Sequence, residues 1–334
     1  MQGNLIARLA TDSDATLVDR RSALAVGGIA PAFMAMAGAG FGSIKSAAAE
    51  IPDVKKLYPS FDWDDPATNQ RILSRMFGTL EPGKIGYLYF FGRGVGTTGP
   101  DDYQPLFRLE SIAASQAFPQ ADGSVRYKAG QIILFCDWAT GDVLDSWKNP
   151  YTGETCEVFH YRDHPLDYVM DPNKVPERYS DPTDITSRRL VMPWTFRRDR
   201  AYGDAFVKTK IKNRLDAKVW KRESVGEFWT TYEHYQWQAP IADIVNPDVQ
   251  ALYNMNGDFQ TFKPFDPWML MGQRPGKVFQ QKTMLNIPNF DPVPRKIMNY
   301  VEKHMAQYLD LSAIPANAYK LNDAHYAEQR KPMP

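Results

Sequence analysis

The side chains best suited to moving a proton lie in three stretches of the chain. His160, Asp163, His164 and Asp167 form the pattern His-x-x-Asp-His-x-x-Asp. That pattern would be a metal-ligand set only on a helix, where His160 and His164 share a face at a spacing of four. Pro165 and the strand-like residues before it argue against a helix, so no metal is expected. On a strand, Cys156, Val158 and His160 share one face, which suits an interior with one polar group. His160 is then either a general base or a histidine satisfied by a structural hydrogen bond. His164-Pro165 also reads as the start of a turn.

Glu233, His234 and Tyr235 form the second stretch. Alternation puts Glu233 and Tyr235 on one face with Trp229 and Trp237, and His234 on the other with Tyr232. Whichever face is inside, an acid–base group lies among aromatics, and an apolar setting raises a carboxylate into a usable range. The alternative is a wet face with aromatic cross-strand pairs. The third group is basic. Arg93, Arg108, Arg197 and Arg198 could hold a carboxylate or phenolate, although Arg197-Arg198-Asp199-Arg200 reads more simply as a solvated charge run. The candidate catalytic side chains are therefore His160, His164, Glu233, His234 and Arg93. Tyr87, Trp147, Asn149, Trp194, Trp229, Tyr235 and Trp237 are the candidates for holding a ligand. No Gly-x-Ser-x-Gly, His-Glu-x-x-His or haem-attachment motif occurs, and no cofactor is expected.

These groups need strands to position them. Strand patterns appear at 84–91, 107–115, 126–137, 143–147, 156–161, 190–196, 205–210, 217–221 and 224–238. Residues 84–91 are apolar on both faces and read as a central strand. Gly92-Arg93-Gly94-Val95-Gly96 follows at a spacing that fits no phosphate-binding fingerprint, and reads as a flexible turn. Residues 166–187 are rich in Pro and Asp and read as a long loop. A short helix is expected at 69–77 and a longer one at 293–309, where Ile297, Met298, Val301 and Met305 form a stripe. Three successive strands in a meander would hold Cys136 and Cys156 about twice 4.8 Å apart, too far for a disulfide.

The whole chain has 334 residues, with 39 basic and 39 acidic side chains and a net charge of zero. That balance excludes a broad phosphate-tracking surface, so nucleic acid is not an expected partner. Aromatics make up 13% of the residues, which favours strands and aromatic-lined cavities over helical bundles. Near the amino terminus, Arg20-Arg21 precedes an uncharged run from Ser22 to Ile44, then Lys45 and Ala47-Ala48-Ala49. This resembles a twin-arginine export signal over 1–49 with a small-residue cleavage site. Five glycines and Pro31 in the run argue against a membrane anchor. The expected destination is the periplasm, with the twin-arginine translocase as the export partner. Residues 50–334 then form a single domain.

A longer match lies in Ile132-Ile133-Leu134-Phe135-Cys136-Asp137-Trp138 and in Trp147-Lys148-Asn149-Pro150-Tyr151-Thr152-Gly153-Glu154, continuing to Glu157-Val158 and His160. With Trp268-Met269-Leu270-Met271-Gly272-Gln273-Arg274-Pro275-Gly276, these segments resemble the bacterial family called domain of unknown function 1838, over roughly 62–321. The resemblance implies a calycin-like, lipocalin-type barrel, often exported, and carries no activity to transfer. The expected fold is therefore mainly β: an antiparallel calycin- or lipocalin-like β-barrel with a C-terminal helix. Such a lumen suits a small hydrophobic or aromatic ligand. The protein could transform that ligand as a cofactor-independent lyase, dehydratase or isomerase. It could instead only carry it, or be structural with a filled barrel. The sequence carries no reading of its oligomeric state.

Overall fold

The computed structural model describes residues 53–176, 187–188, 190–312 and 322–333. The expected export signal at 1–49 lies outside them. Among the described residues, two helices precede the strands. In α1 (Val54–Leu57), Asp53 accepts a hydrogen bond from the Lys56 N–H. In α2 (Pro66–Met76), Asp65 accepts from the Thr68 N–H at 2.7 Å, and Pro66 occupies the first turn, where its missing N–H costs nothing. Ile72, Leu73 and Met76 of α2 are buried.

The strands are β1 (Gly86–Gly99), β2 (Asp102–Pro119), β3 (Val125–Cys136), β4 (Ser146–Lys148), β5 (Thr155–Glu157), β6 (Tyr161–Met170), β7 (Val175–Pro176), β8 (Ser187–Arg188), β9 (Trp194–Arg197), β10 (Arg200–Lys212), β11 (Phe228–Pro240), β12 (Asn256–Lys263) and β13 (Lys277–Ile287). Nine of them form one antiparallel sheet in the order β6-β3-β2-β1-β13-β12-β11-β10-β9. β4 pairs with β5, and β7 with β8, as separate ribbons. Helices α3 (Ile241–Val245), α4 (Arg295–His304) and α5 (Asn322–Gln329) complete the described elements, with 3-10 turns at Pro267–Met269 and Ala306–Tyr308.

The sheet is strongly curled. β6 and β12 are five strands apart, about 24 Å in a flat sheet. Yet the Tyr161 hydroxyl of β6 donates to Asp266, just beyond β12, and the Lys263 ammonium of β12 lies 5.1 Å from the Tyr161 ring centre. Two side chains can span this gap only if the face they share is concave. Apolar clusters cover that inner face at both ends. One gathers Leu106, Phe107, Leu109, Phe135, Phe265, Trp268 and Val278. The other packs α2 and α3 onto Leu88, Phe90, Trp237, Phe259 and Met284. On the outer face, α4 lies over Tyr89, Ile112, Ile132, Leu134 and Cys136.

The mainly β antiparallel class and the late helix agree with the sequence reading, and the finer topology departs from it. Among the described residues no pairing joins β6 to β9, so the sheet has two edges where a closed barrel was expected. β9 is only four residues long, and β6 carries a bulge at His164-Pro165, opposite Gly130. Both are devices that blunt an exposed edge. β6 also occupies the start of the expected loop at 166–187. The three-strand meander is absent: β3 pairs directly with β6, and the β4–β5 ribbon stands apart, joined to β3 only near the bridge from Cys136 to Val143. Both cysteines are free and buried, in different clusters. Residues 217–221 form turns, not a strand. Gly92 to Gly96 is no turn but the middle of β1, where Gly92 permits close approach of the β13 backbone.

Candidate functional site

Between its two apolar ends the inner face is polar. The register sets Tyr235, Phe259, Lys282 and Gly92 in one row across β11, β12, β13 and β1, and Glu233, Thr261, Gln280 and Gly94 in the next. Paired residues point to the same side of a sheet, so Glu233, Tyr235, Lys282 and Gln280 share one surface with Ser111 and Gln131. Ala113, Gln131, Ile133, Glu233 and Tyr235 are partly exposed there, so water reaches the middle of the face.

Each group in this belt has a distinct setting. Glu233 accepts a hydrogen bond from the Tyr235 hydroxyl at 3.0 Å. Burial raises its carboxyl above the ordinary range, while the Tyr235 hydroxyl and the Lys282 and Lys263 charges pull it down. The Lys263 ammonium is 2.5 Å from the Asp266 carboxylate, which also accepts from the Tyr161 hydroxyl. Among the described residues, Asp266 Oδ2, Thr261 Oγ1 and Trp237 Nε1 are buried without a hydrogen-bond partner. Tyr235 stacks at 5.5 Å on Trp237 and lies 4.6 Å from Phe259, so aromatic surface flanks the charged groups. A proton donor, a cation and an aromatic wall on one half-wet surface can bind an apolar molecule bearing one oxygen function and exchange protons with it.

The candidate residues do not assemble into one site. Glu233, Tyr235 and Trp237 lie together on the inner face, and Trp229 is partly exposed at the same parity further along β11. His234 points outward, where its Nε2 is 3.0 Å from Asp204 and its ring stacks at 4.3 Å on the exposed Phe206. Arg93 is also on the outer face, its guanidinium 5.0 Å from the Trp138 ring centre. It lines an open cleft of about 380 Å³ with Phe91, Arg108, Glu110, Gln281 and Thr283. Tyr87 packs on Phe290, also on the outer face beside the α4 cluster. Trp194 donates to Asn69 Oδ1 at 2.9 Å and sits edge-on to Trp63. Trp147 and Asn149 are buried, and their N–H groups serve backbone carbonyls: Trp147 Nε1 donates to Leu106 O at 3.1 Å and Asn149 Nδ2 to Met269 O at 2.8 Å. That last bond ties the two most family-like segments together. His164 lies on β6, and its side chain is outside the described part of the structure. Asp167 is engaged by Arg126, which donates to it at 2.7 Å, and no cluster of three metal-binding side chains occurs among the described residues.

His160 occupies a structural position. Its Nδ1 accepts the Phe135 N–H at 3.1 Å, and its ring lies between Phe135 and Tyr300 of α4. Burial, helped by the nearby Arg162 charge, lowers its pKa to about 4. The fold therefore favours neutral imidazole. As pH falls below the ordinary 6.5, the unfolded chain takes up a proton that the folded one refuses until about 4. The stability due to this group is thus complete above 6.5 and is lost between 6.5 and 4, by about 3 kcal/mol. Urea unfolding near pH 7 and pH 4.5 checks this. His160→Gln should be less stable near neutrality but should lose less on acidification. An identical acid loss in both proteins would remove His160 as its cause.

Lys263, Asp266, Lys282, Gln280 and Tyr161 carry no sequence signal as site residues. Lys263 and Asp266 at a spacing of three, with the Lys282 alternation, would have been the only hints, and neither is a recognised motif. No curated protein sequence matches the chain. A family model described as protein of unknown function (DUF1838) matches residues 89–320. That match takes in β1 from Tyr89, the other eight strands of the large sheet and both tied segments, Trp147 to Glu154 and Trp268 to Gly276, over more than half of the chain, which therefore belongs to the DUF1838 family.

Proposed function

We propose that the inner-face belt binds a small hydrophobic or aromatic molecule and catalyses proton transfer on it without a cofactor, as a lyase, dehydratase or isomerase, with Glu233 as general acid–base. The observation carrying this reading is Glu233 itself: a half-buried carboxyl with a raised pKa, bonded to Tyr235, beside an aromatic wall and within the fields of two lysines. A carboxyl that burial makes harder to ionise, held beside a hydroxyl, can give a proton and take it back. The curled sheet, apolar at both ends and polar in the middle, is consistent with a calycin-like design with an open seam. Arg20-Arg21 and the uncharged run after them support twin-arginine export to the periplasm.

Trp237, stacked on Tyr235, makes the belt readable by fluorescence. Small aromatic carbonyl compounds and alcohols that quench tryptophan emission are the candidate substrates, and their turnover is followed by product analysis. Glu233→Gln keeps the shape and removes the titrating group. It should retain quenching while turnover falls by about 10²–10⁴-fold. Quenching with no turnover by the unmodified protein would leave a carrier. Full turnover in Glu233→Gln would remove Glu233 from the chemistry.

A further inference from the structure

We infer that Lys282 is an imine-forming lysine, so that the molecules taken by the inner belt are aldehydes or ketones. This rests on the belt being the small-molecule site.

Lys282 lies in the middle of β13, at the centre of the sheet, with only 3% of its surface exposed. Lys263, two rows away, is held by Asp266. The Lys282 ammonium has no such partner: among the described residues it makes neither a hydrogen bond nor an ion pair, and its neighbour is the Phe259 ring at 5.1 Å. Gly92 on β1 presents no side chain beside it. The charged groups facing it are Lys263 and Asp266 from the end of β12 and Glu233 from β11. A buried ammonium without an acceptor is costly, and a neutral amine in the same place costs far less. Burial and the Lys263 charge accordingly bring this amine down to about 7, against the pull of Glu233 and Asp266. A neutral amine is a nucleophile toward carbonyl carbon, and desolvation beside a second cation is a recognised way to make one.

The groups at hand complete the step. The amine lone pair attacks the carbonyl carbon, and a proton passes from nitrogen to oxygen to give a carbinolamine. Glu233 in its acid form protonates that hydroxyl, the C–O bond breaks, water leaves, and the nitrogen lone pair forms C=N. The resulting Glu233 carboxylate can then take a proton from the adjacent carbon, the electron pair passing into the iminium. Later hydrolysis consumes one water and restores the lysine. The iminium supplies the electron sink that a lyase or isomerase without a cofactor otherwise lacks.

The test uses the full chain with benzaldehyde, and separately formaldehyde, in the presence of sodium cyanoborohydride near neutral pH. Labelled lysines are then located by peptide mass mapping. Near pH 7 an amine with a pKa of about 7 is about half neutral, whereas an ordinary lysine is neutral in roughly one part in 2500. Lys282 should be labelled at least about tenfold faster than the remaining lysines, and its rate should level off just above pH 7 while theirs keeps rising. Glu233→Gln should slow labelling at Lys282 and at no other lysine. Labelling of Lys282 no faster than the average lysine with both aldehydes would overturn the inference, the smaller probe removing access as an explanation. Benzyl alcohol, which cannot form an imine, separates the two readings. If it quenches Trp237 while Lys282 stays unlabelled, the belt still binds ligand and only the imine fails.

Discussion

Replacing Arg75 with methionine should destabilise the protein by about 3–5 kcal/mol and lower its melting temperature by roughly 10 °C. Arg75 lies on α2 with 1% of its surface exposed. Its guanidinium donates to four backbone carbonyls, those of Asp243, Ile244, Asn246 and Val249, at 2.5 to 3.3 Å. Burial lowers its pKa to about 10, far enough above neutrality for the charge to persist. The carbonyls it serves include those at the end of α3, where the last C=O groups of a helix have no partner within it. Methionine fills much of the volume but donates nothing, so these oxygens are left buried and unpaired. The Arg75 backbone carbonyl in turn accepts from Asn286 Nδ2 at 2.8 Å and from the Leu252 N–H. The variant therefore loosens the joint between α2, the 241–252 segment and β13, and β13 carries Lys282. Thermal unfolding followed by circular dichroism measures the effect. A change below about 1 kcal/mol would mean that water replaces the guanidinium at these carbonyls.

How much of this was legible in the sequence follows from where the polar residues point. β1, β2, β3, β10 and β11 bury apolar side chains at a period of two or on both faces, and the strand patterns found them. β12 and β13 do not follow that rule. The inward positions of β13 are Val278, Gln280, Lys282, Met284 and Asn286, three of them polar, while Phe279 and Leu285 face the other way. A hydrophobic period of two cannot appear in a strand whose buried side is built from amide and amine groups. The residues that hide β13 from pattern reading are those that make the belt. Glu233 and Tyr235 were found because their face of the strand also holds Trp229 and Trp237. Alternation already sets His234, next in sequence, on the opposite face, and there it points outward to Asp204. His160 stands out in the sequence by its type and by sharing a strand face with Cys156 and Val158, but its hydrogen bond from Phe135 depends on β3 pairing with β6, which the meander reading excluded.

Gly92→Ala should cost about 3 kcal/mol or more, the second large effect expected here. A Cβ at Gly92 would lie 1.9 Å from the Gln281 carbonyl oxygen and 2.6 Å from Lys282 Cα. Both are backbone atoms of β13, so no side-chain rotation relieves the contact. β1 and β13 are neighbours at the middle of the nine-stranded sheet, and they would have to separate there, breaking ladder bonds on both sides. Gly99, at the far end of the same strand, is the internal control. A Cβ there meets nothing within 4 Å, so Gly99→Ala should be neutral or stabilising by up to about 1 kcal/mol through a less flexible unfolded chain. Urea unfolding of the two variants decides the matter. If Gly92→Ala proved as stable as Gly99→Ala, the close approach of β1 to Lys282 would be wrong. If the large cost is found, Gly92 is glycine because the β13 backbone lies against it, whereas Gly94 and Gly96 leave room for the Phe107, Leu106 and Tyr151 side chains. Any residue larger than glycine at 92 would then displace Lys282, which makes no hydrogen bond or ion pair among the described residues.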